Sequence, residues 1–347
     1  MKEEQKIKVL VVDDSPTFRA ALSIALETDP SISVIGQAAD GKAAVALCEQ
    51  LNPDVVTMDV VMPVLDGIEA SKLILAQRPI PILLMSTLAR SEEQRMALNA
   101  LRLGVVDVTN KPVLAGSGGQ HGIAQVIRLV KAAAEVEVSV RPRSGRYHVL
   151  ADPVKRNLDL IAIAASTGGP PALERVLGLL PPEFPPIVIA QHLAPSFARG
   201  FADWLSGAIA RPVVPVVATE PLRPGIIYVS GEKQHIVVRH GYVRDKSVGP
   251  GELAPNADLL FQSACDSYGP RVLGVVLTGM GNDGAVGLKA LRDAGAWTIG
   301  QDRDSSVVYG MPRVAAEAGA CCEVISLDEI AGRINGLLGA GPGRPRV

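Results

Sequence analysis

From residue 7 to residue 112, short β-branched and aliphatic runs alternate with stretches whose apolar positions recur at helical spacing. The runs Ile7–Val12, Ile32–Gly36, Val55–Met58, Ile82–Ser86 and Val105–Val108 predict strands, because each is short, apolar and bounded by polar or turn residues. Phe18, Leu22 and Ala25 share one face of a helix between the first two. Five β-α units in succession predict a doubly wound parallel sheet. A second series begins at residue 157. Leu158–Ala164, Ile187–Gln191, Ile226–Val229, Ile236–Arg239, Val272–Leu277 and Trp297–Gly300 predict its strands. The close pair within 226–243 reads as an antiparallel hairpin. Between the two series, Ile123 to Val136 predicts a helix that closes the first unit, and the run VRPRSGRYH marks a boundary. The expected division is a first domain over 5–136, a linker over 137–156 and a second domain over 157–340.

Composition narrows the class. The 347 residues are 48% hydrophobic and 20% charged, which excludes a largely disordered chain. Only 3% are aromatic, so the cores must be built from Val, Leu, Ile and Ala, as buried parallel strands are. The net charge is −2, but it is uneven. Residues 113–156 hold 7 basic and 3 acidic side chains without interleaved aromatics, the pattern of a linker rather than of a nucleic-acid site. Cys48, Cys265, Cys321 and Cys322 form no CxxC pair and are expected to be free, mostly buried thiols. No apolar run approaches the ~18 residues that span a bilayer. The start, MKEEQKIKVLVV, has too short an apolar run for a signal segment, so a cytoplasmic protein without membrane insertion is expected.

Candidate chemistry gathers first at predicted strand ends. The first strand ends in Asp13-Asp14 and the third in Met58-Asp59. Strand carboxyl ends of an open parallel sheet share one rim, where ligands bind. Three carboxylates there repel one another unless a cation sits among them, and hard oxygen donors suit Mg²⁺. The fourth strand adds Ser86-Thr87 to the rim, and the fifth leads to Asn110-Lys111-Pro112. Together these describe a phosphoryl-acceptor site, in which the metal and Lys111 neutralise a phosphoryl group and Thr87 bonds one of its oxygens. Any one aspartate could merely cap a turn; five such residues in this β-α order argue otherwise.

The segments VVDDSP, MDVVMPVLDG, MSTLA and NKP resemble the receiver domain of response regulators. The resemblance implies a flavodoxin-like fold, a five-stranded doubly wound parallel sheet. It implies that Asp59 accepts phosphate from a histidine kinase, that Asp13, Asp14 and Asp59 bind Mg²⁺, and that Thr87 and Lys111 contact the phosphoryl group. The chain departs from that pattern at Val108, where many receivers place an aromatic that changes rotamer on phosphorylation.

The second half carries a different set. In DLIAIAASTGGPPALERVL an apolar strand runs into a tight turn and a helix, with Ser166 at the turn. Thr167-Gly168-Gly169 free the backbone there for close approach of a ligand, and Pro170 or Pro171 suits the first helical turn. A serine facing a helix N-terminus has N–H groups nearby for an oxyanion, although a plain helix cap reads the same way. IVIAQHL puts His192 at the next strand end, and VLGVVLTGMGNDGAVGLKAL puts Asp283 in a third strand-to-helix turn. Ser, His and Asp on one rim are the inventory for acyl transfer. A rival is the dinucleotide fingerprint G-x-G-x-x-G over Gly279–Gly284, with Asp302 beyond it. Asp283 inside a pyrophosphate cradle opposes it.

IAIAASTGGP, QHLAPSF, LTGMGNDGAVGL, AWTIGQD and YGMP resemble the catalytic domain of chemotaxis protein-glutamate methylesterases, the CheB family. The resemblance implies a Rossmann-like α/β domain with a mostly parallel sheet and an antiparallel hairpin. It implies Ser166, His192 and Asp283 as a catalytic triad, with Thr167 and Met280 around the serine and the oxyanion site. Where the family usually has glycine the chain has Ala164, and its methyl is expected to shift the nucleophile turn. The implied activity is a phosphorylation-activated serine hydrolase without an esterase cofactor. It would demethylate glutamate methyl esters on the cytoplasmic helices of chemoreceptors and release methanol. Some relatives also deamidate receptor glutamine, which the same acyl chemistry permits. The receiver is expected to restrain the esterase until Asp59 is phosphorylated. The competing reading is a non-catalytic receiver adaptor with a degenerate hydrolase domain, favoured by Ala164 and opposed by the complete Ser/His/Asp set. A DNA-binding output is disfavoured by the acidic second half, which shows no helix-turn-helix pattern.

Overall fold

A computed structural model describes residues 6–87, 91–114, 119–136, 155–249, 252 and 254–339. The chain divides into two compact units, 1–142 and 143–347. The predicted linker 137–156 lies outside the described residues except for Lys155 and Arg156, and His148 lies outside them too.

The first unit runs β1 (Ile7–Val12), α1 (Pro16–Leu26), β2 (Ile32–Ala38), α2 (Gly41–Leu51), β3 (Val55–Asp59), α3 (Gly67–Gln77), β4 (Ile82–Ser86), α4 (Ser91–Leu101), β5 (Asp107–Asn110) and α5 (Gly119–Ala134). All five strands are parallel, in the order β2-β1-β3-β4-β5. The order reverses between β1 and β3, so their carboxyl ends flank a crevice. Helix starts follow from polar caps. Ser15 accepts the Phe18 N–H just before Pro16, and Asp40 and Asp66 cap α2 and α3 in the same way. β5 begins later than the predicted Val105–Val108. Its ladder with β4 runs from Leu83–Asp107 to Ser86–Asn110, while Val105 and Val106 are apolar because they are buried, not because they lie in the strand.

The second unit runs β6 (Leu160–Ala165), α6 (Gly169–Gly178), β7 (Ile187–Gln191), α7 (Ala198–Ile209), β8 (Val213–Val216), β9 (Glu220–Pro221), β10 (Ile227–Ser230), β11 (Gln234–Arg239) and β12 (Tyr242–Ser247). It continues with α8 (Ala257–Tyr268), β13 (Val272–Val276), α9 (Ala285–Asp293), β14 (Trp297–Gln301), α10 (Met311–Glu317), β15 (Glu323–Ile325) and α11 (Leu327–Leu338). Seven strands form one parallel sheet, β15-β14-β13-β6-β7-β10-β8. β6 is its centre: the chain extends the sheet through β7 on one side and later through β13 on the other. Leu160, Ala162 and Ala164 alternate along β6 and pack in one core with Leu260, Phe261 and Ala264 of α8 and Leu288 and Leu291 of α9.

The hairpin lies elsewhere than expected. β10 does not pair with β11; it is buried throughout and sits in parallel between β7 and β8. β11 pairs antiparallel with β12, closing on His240 and Gly241 at φ 41° and 89°. Two successive positive φ values are the primed turn that matches strand twist. A third strand, β9, completes this separate antiparallel sheet. The close spacing of two apolar runs was misleading because both are buried in different sheets.

Candidate active site and phosphoryl site

In the first unit, Asp13 follows β1, Asp59 ends β3 and Lys111 follows β5, so three strand ends converge. The Lys111 ammonium contacts Asp13 at 2.6 Å and Asp59 at 2.9 Å. Asp13 and Asp59 are buried and Asp14 is exposed. Burial pushes the Asp59 carboxyl up, against the pull of Lys111 and with the help of the Asp13 charge. Burial opposes the Lys111 charge, yet its two carboxylate partners hold it above the usual lysine range. Asp13, Asp14 and Asp59 each place an oxygen within 4.8 Å of the others. One ammonium among three carboxylates leaves negative charge to neutralise, and the donors are all oxygen. The residues present therefore fit Mg²⁺. Thr87 is exposed just past β4. Gly67 is required by a close approach: a Cβ there would come within 1.8 Å of the Asp59 carbonyl oxygen. Val108 is buried in β5.

In the second unit, the register pairs Ala165 of β6 with Gln191 of β7, so Ser166 and His192 are the next residues off two adjacent strands. The His192 N–H continues the ladder to the Ala165 carbonyl at 2.9 Å, and the Ser166 N–H reaches the Thr278 carbonyl at 3.0 Å. Asp283 lies in the turn after β13, beside β6. Its Oδ2 meets His192 Nε2 at 2.8 Å. The same oxygen accepts the Ala257 N–H at 2.7 Å, and Oδ1 accepts the Asp258 N–H at 3.1 Å, so the carboxylate sits on the N-terminus of α8. Burial works against that charge, but His192 and the two backbone donors outweigh it and hold the carboxyl below the usual range. The sequence-predicted Ser166, His192 and Asp283 are thus brought to one rim, at the point where the sheet order reverses.

The turn itself differs from the helix-cap alternative. α6 is capped by Gly168 at φ 75° with no side-chain cap bond, so Ser166 is not its cap. A Cβ on Gly169 would come within 2.1 Å of Gln191 Oε1, and one on Gly168 within 2.5 Å of Val307 Cβ. Both glycines therefore leave room for neighbouring side chains. Gly279 packs on Ser166, since a Cβ there would lie 2.7 Å from Ser166 Cβ. Met280 and Gly281, the latter at φ 90°, follow Gly279 in the same turn. Ala164 leaves the strand intact: β6 keeps register with Val276 and Ala190 through it and on to Ala165.

Two supporting side chains escaped sequence reasoning. Gln191 is buried, and its Nε2 donates to the carbonyls of Ser166 at 2.9 Å and His192 at 2.8 Å. Thr278 is buried; its Oγ1 donates to the Thr167 carbonyl at 2.9 Å and accepts the Val308 N–H, while its own N–H reaches Gln301 Oε1. A polar residue closing an apolar strand, directly before His192, was the available signal for Gln191. The dinucleotide alternative fails on geometry. The Gly279–Gly284 turn holds Asp283 against His192, and Asp302 is engaged with the backbone and hydroxyl of Ser305. His235 pairs with Glu252, and His121 and His240 lie in α5 and the hairpin turn. The four cysteines are free; Cys48 alone is buried, the other three being half-buried, which corrects the expectation of mostly buried thiols.

Comparison with known proteins supplies the family. Residues 161–334 match the model of the CheB methylesterase, and residues 9–117 that of the response regulator receiver domain. A protein-glutamate methylesterase/protein-glutamine glutaminase of Caulobacter vibrioides is 41% identical over 96% of this chain and 99% of its own length. One of Myxococcus xanthus is 39% identical over 94% of this chain and 96% of its own. The crystal structure of the Thermotoga maritima CheB methylesterase catalytic domain aligns at 30% identity, covering 51% of this chain and 97% of that one, with a TM-score of 0.48. Matched over nearly its whole length, the chain belongs to the CheB methylesterase family, with a response regulator receiver domain over residues 9–117.

Proposed function

We propose that the chain is a phosphorylation-activated protein-glutamate methylesterase that removes methyl groups from glutamate esters on the cytoplasmic helices of chemoreceptors. The observation that carries this reading is the placing of Ser166 and His192 on adjacent strand ends, with His192 Nε2 held by Asp283. Because Nε2 is committed to the carboxylate, Nδ1 is the atom left to take the Ser166 hydroxyl proton. Ser166 attacks the ester carbonyl, and His192 returns the proton to the leaving methoxide. Methanol departs, an acyl-enzyme remains, and water activated by His192 releases glutamate. Asp283 balances the imidazolium in both halves. In this reading Thr167 and Met280 flank the developing oxyanion and their backbone N–H groups stabilise it. All these groups come from the chain, so the esterase needs no cofactor in this reading. A primary amide reacts by the same steps with ammonia leaving, which supports deamidation of receptor glutamine, as the relatives' names include a glutaminase. A non-catalytic adaptor finds no support in those relatives.

In the receiver, Asp59 is the phosphoacceptor for a histidine kinase of the same pathway. Asp13, Asp14 and Asp59 would hold Mg²⁺, which supplies charge neutralisation for phosphoryl transfer. Lys111 supplies a second positive charge, and Thr87 an oxygen-bonding hydroxyl. Among the described residues no helix is long and apolar enough to cross a membrane. The substrate helices and the kinase place the protein's work in the cytoplasm. A serine-directed fluorophosphonate tests the catalytic assignment: it should label the wild type at Ser166, more slowly in His192→Gln and not at all in Ser166→Ala. Equal labelling of the first two would remove His192 from its role.

A further inference from the structure

Asp283 is aimed from a turn whose own bond, the Ala285 N–H to the Asn282 carbonyl, is long at 3.3 Å. It lies between Gly281 and Gly284, both at φ 90°, the residues with the widest backbone freedom. What fixes its carboxylate must come from outside the turn, and the meeting of α8 and α9 supplies it. The two helix N-termini face each other, and each is capped by an acid from the other's segment.

Three donors at the start of α8 have side-chain partners. Asn256 accepts the Leu259 N–H at 2.8 Å, and Asp283 takes those of Ala257 and Asp258. The opposite end lacks a cap of its own, because the N-cap of α9 is Gly284, with no side chain to offer. Asp258, in the first turn of α8, fills that place: its Oδ1 accepts the Gly287 N–H at 2.7 Å, and the Gly284 and Val286 backbone donors also bear on it. The helices meet closely at this point. A Cβ on Gly287 would come within 2.6 Å of the Asp258 carbonyl oxygen and 2.8 Å of Phe261 Cβ. The pair is therefore reciprocal, with Asp283 clamping α8 and Asp258 clamping α9. Burial, and then the Asp283 charge, push the Asp258 carboxyl up, so the arrangement keeps two acids close in spite of their repulsion.

We propose that Asp258 is a positioning residue for the esterase: its clamp on the first turn of α9 fixes the Asn282–Gly284 turn and thereby the aim of Asp283 at His192. Asp258 touches no substrate in this arrangement and acts only through Asp283. The inference rests on the esterase reading above.

The test uses the full chain, activated with acetyl phosphate and Mg²⁺, on methylated chemoreceptor membranes. Asp258→Ala should lower kcat tenfold or more with KM within twofold of wild type. Asp258→Asn keeps an oxygen for the Gly287 N–H and should recover most of kcat. Asp258→Glu keeps the charge but displaces the clamp by a methylene, and should lose kcat while remaining folded by circular dichroism. Should Asp258→Ala fail to fold, the contrast between Asn and Glu carries the test. Wild-type kcat in Ala or Glu would overturn the proposal, as would equal losses in Asn and Ala. No turnover by the wild type would instead refute the esterase reading.

Discussion

Gln191 should couple the stability of the second unit to its chemistry. Its amide ties the carbonyl of Ser166 to that of His192 from a position 3% exposed. Gln191→Met preserves much of the shape and removes both donors. The Ser166 carbonyl also accepts the Gly169 N–H at 2.8 Å, so it keeps a partner and sits at the low end of the cost. With ~1–3 kcal/mol for each buried acceptor left short of a donor, the loss should be about 2–4 kcal/mol. For a unit of this size, ~2–4 °C per kcal/mol gives a melting shift of about 4–16 °C. The two strand ends would then be free to drift, and a displacement of ~1 Å between reacting groups costs on the order of 10²-fold in rate. Differential scanning calorimetry of the full chain and methanol release from methylated receptors are the paired assays. A lowered melting temperature with unchanged kcat would refute the coupling, leaving Gln191 a structural residue alone.

Four further outcomes follow from the geometry. Asp59→Asn should abolish acid-labile phosphate from acetyl phosphate, and chelation of Mg²⁺ should do the same to the wild type; label retained in either case contradicts the phosphoryl-site assignment. Asp283 has a depressed carboxyl, so its contribution to stability is fully present above the usual carboxylate range and is lost as pH falls through its lowered value. The melting difference between wild type and Asp283→Asn should therefore hold from pH 7 down to about 4 and shrink only below it; a difference that stays constant there would sink that reading. Val64 is 81% exposed at φ 69°, a conformation costly for a β-branched residue, so Val64→Asn should stabilise the first unit by about 1 kcal/mol in a denaturant titration. Ala164→Gly should leave kcat within threefold, because the β6 register is already unbroken; a large gain would mean that the methyl distorts the turn after all.

Much of this was legible in the sequence because parallel strands buried on both faces read as plain apolar runs. β1, β4 and β7 match their predicted limits for that reason, and the residues just past such runs fall on a rim by topology alone. Asp13, Asp59, Lys111, Ser166 and His192 were accessible in this way. What was not legible depends on partners distant in the chain. The sheet assignments of β10 and β11 rest on burial that spacing does not encode, although His240-Gly241 marked the true turn. The glycines of the Ser166 turn also make room for Gln191 and Val307, partners that the local sequence does not reveal. Asp258 carried no signal at all, since a first-turn acid is ordinary on any helix and its partner on α9 lies 29 residues away.

The central claim, that Ser166 is the nucleophile of a receptor methylesterase, is tested most directly by methanol release. Methylated chemoreceptor membranes would be offered the acetyl-phosphate-activated chain beside its Ser166→Ala form. Release by the first and none by the second is expected. Release by both would contradict the nucleophile, and release by neither, from folded protein offered several receptors, would contradict the esterase itself.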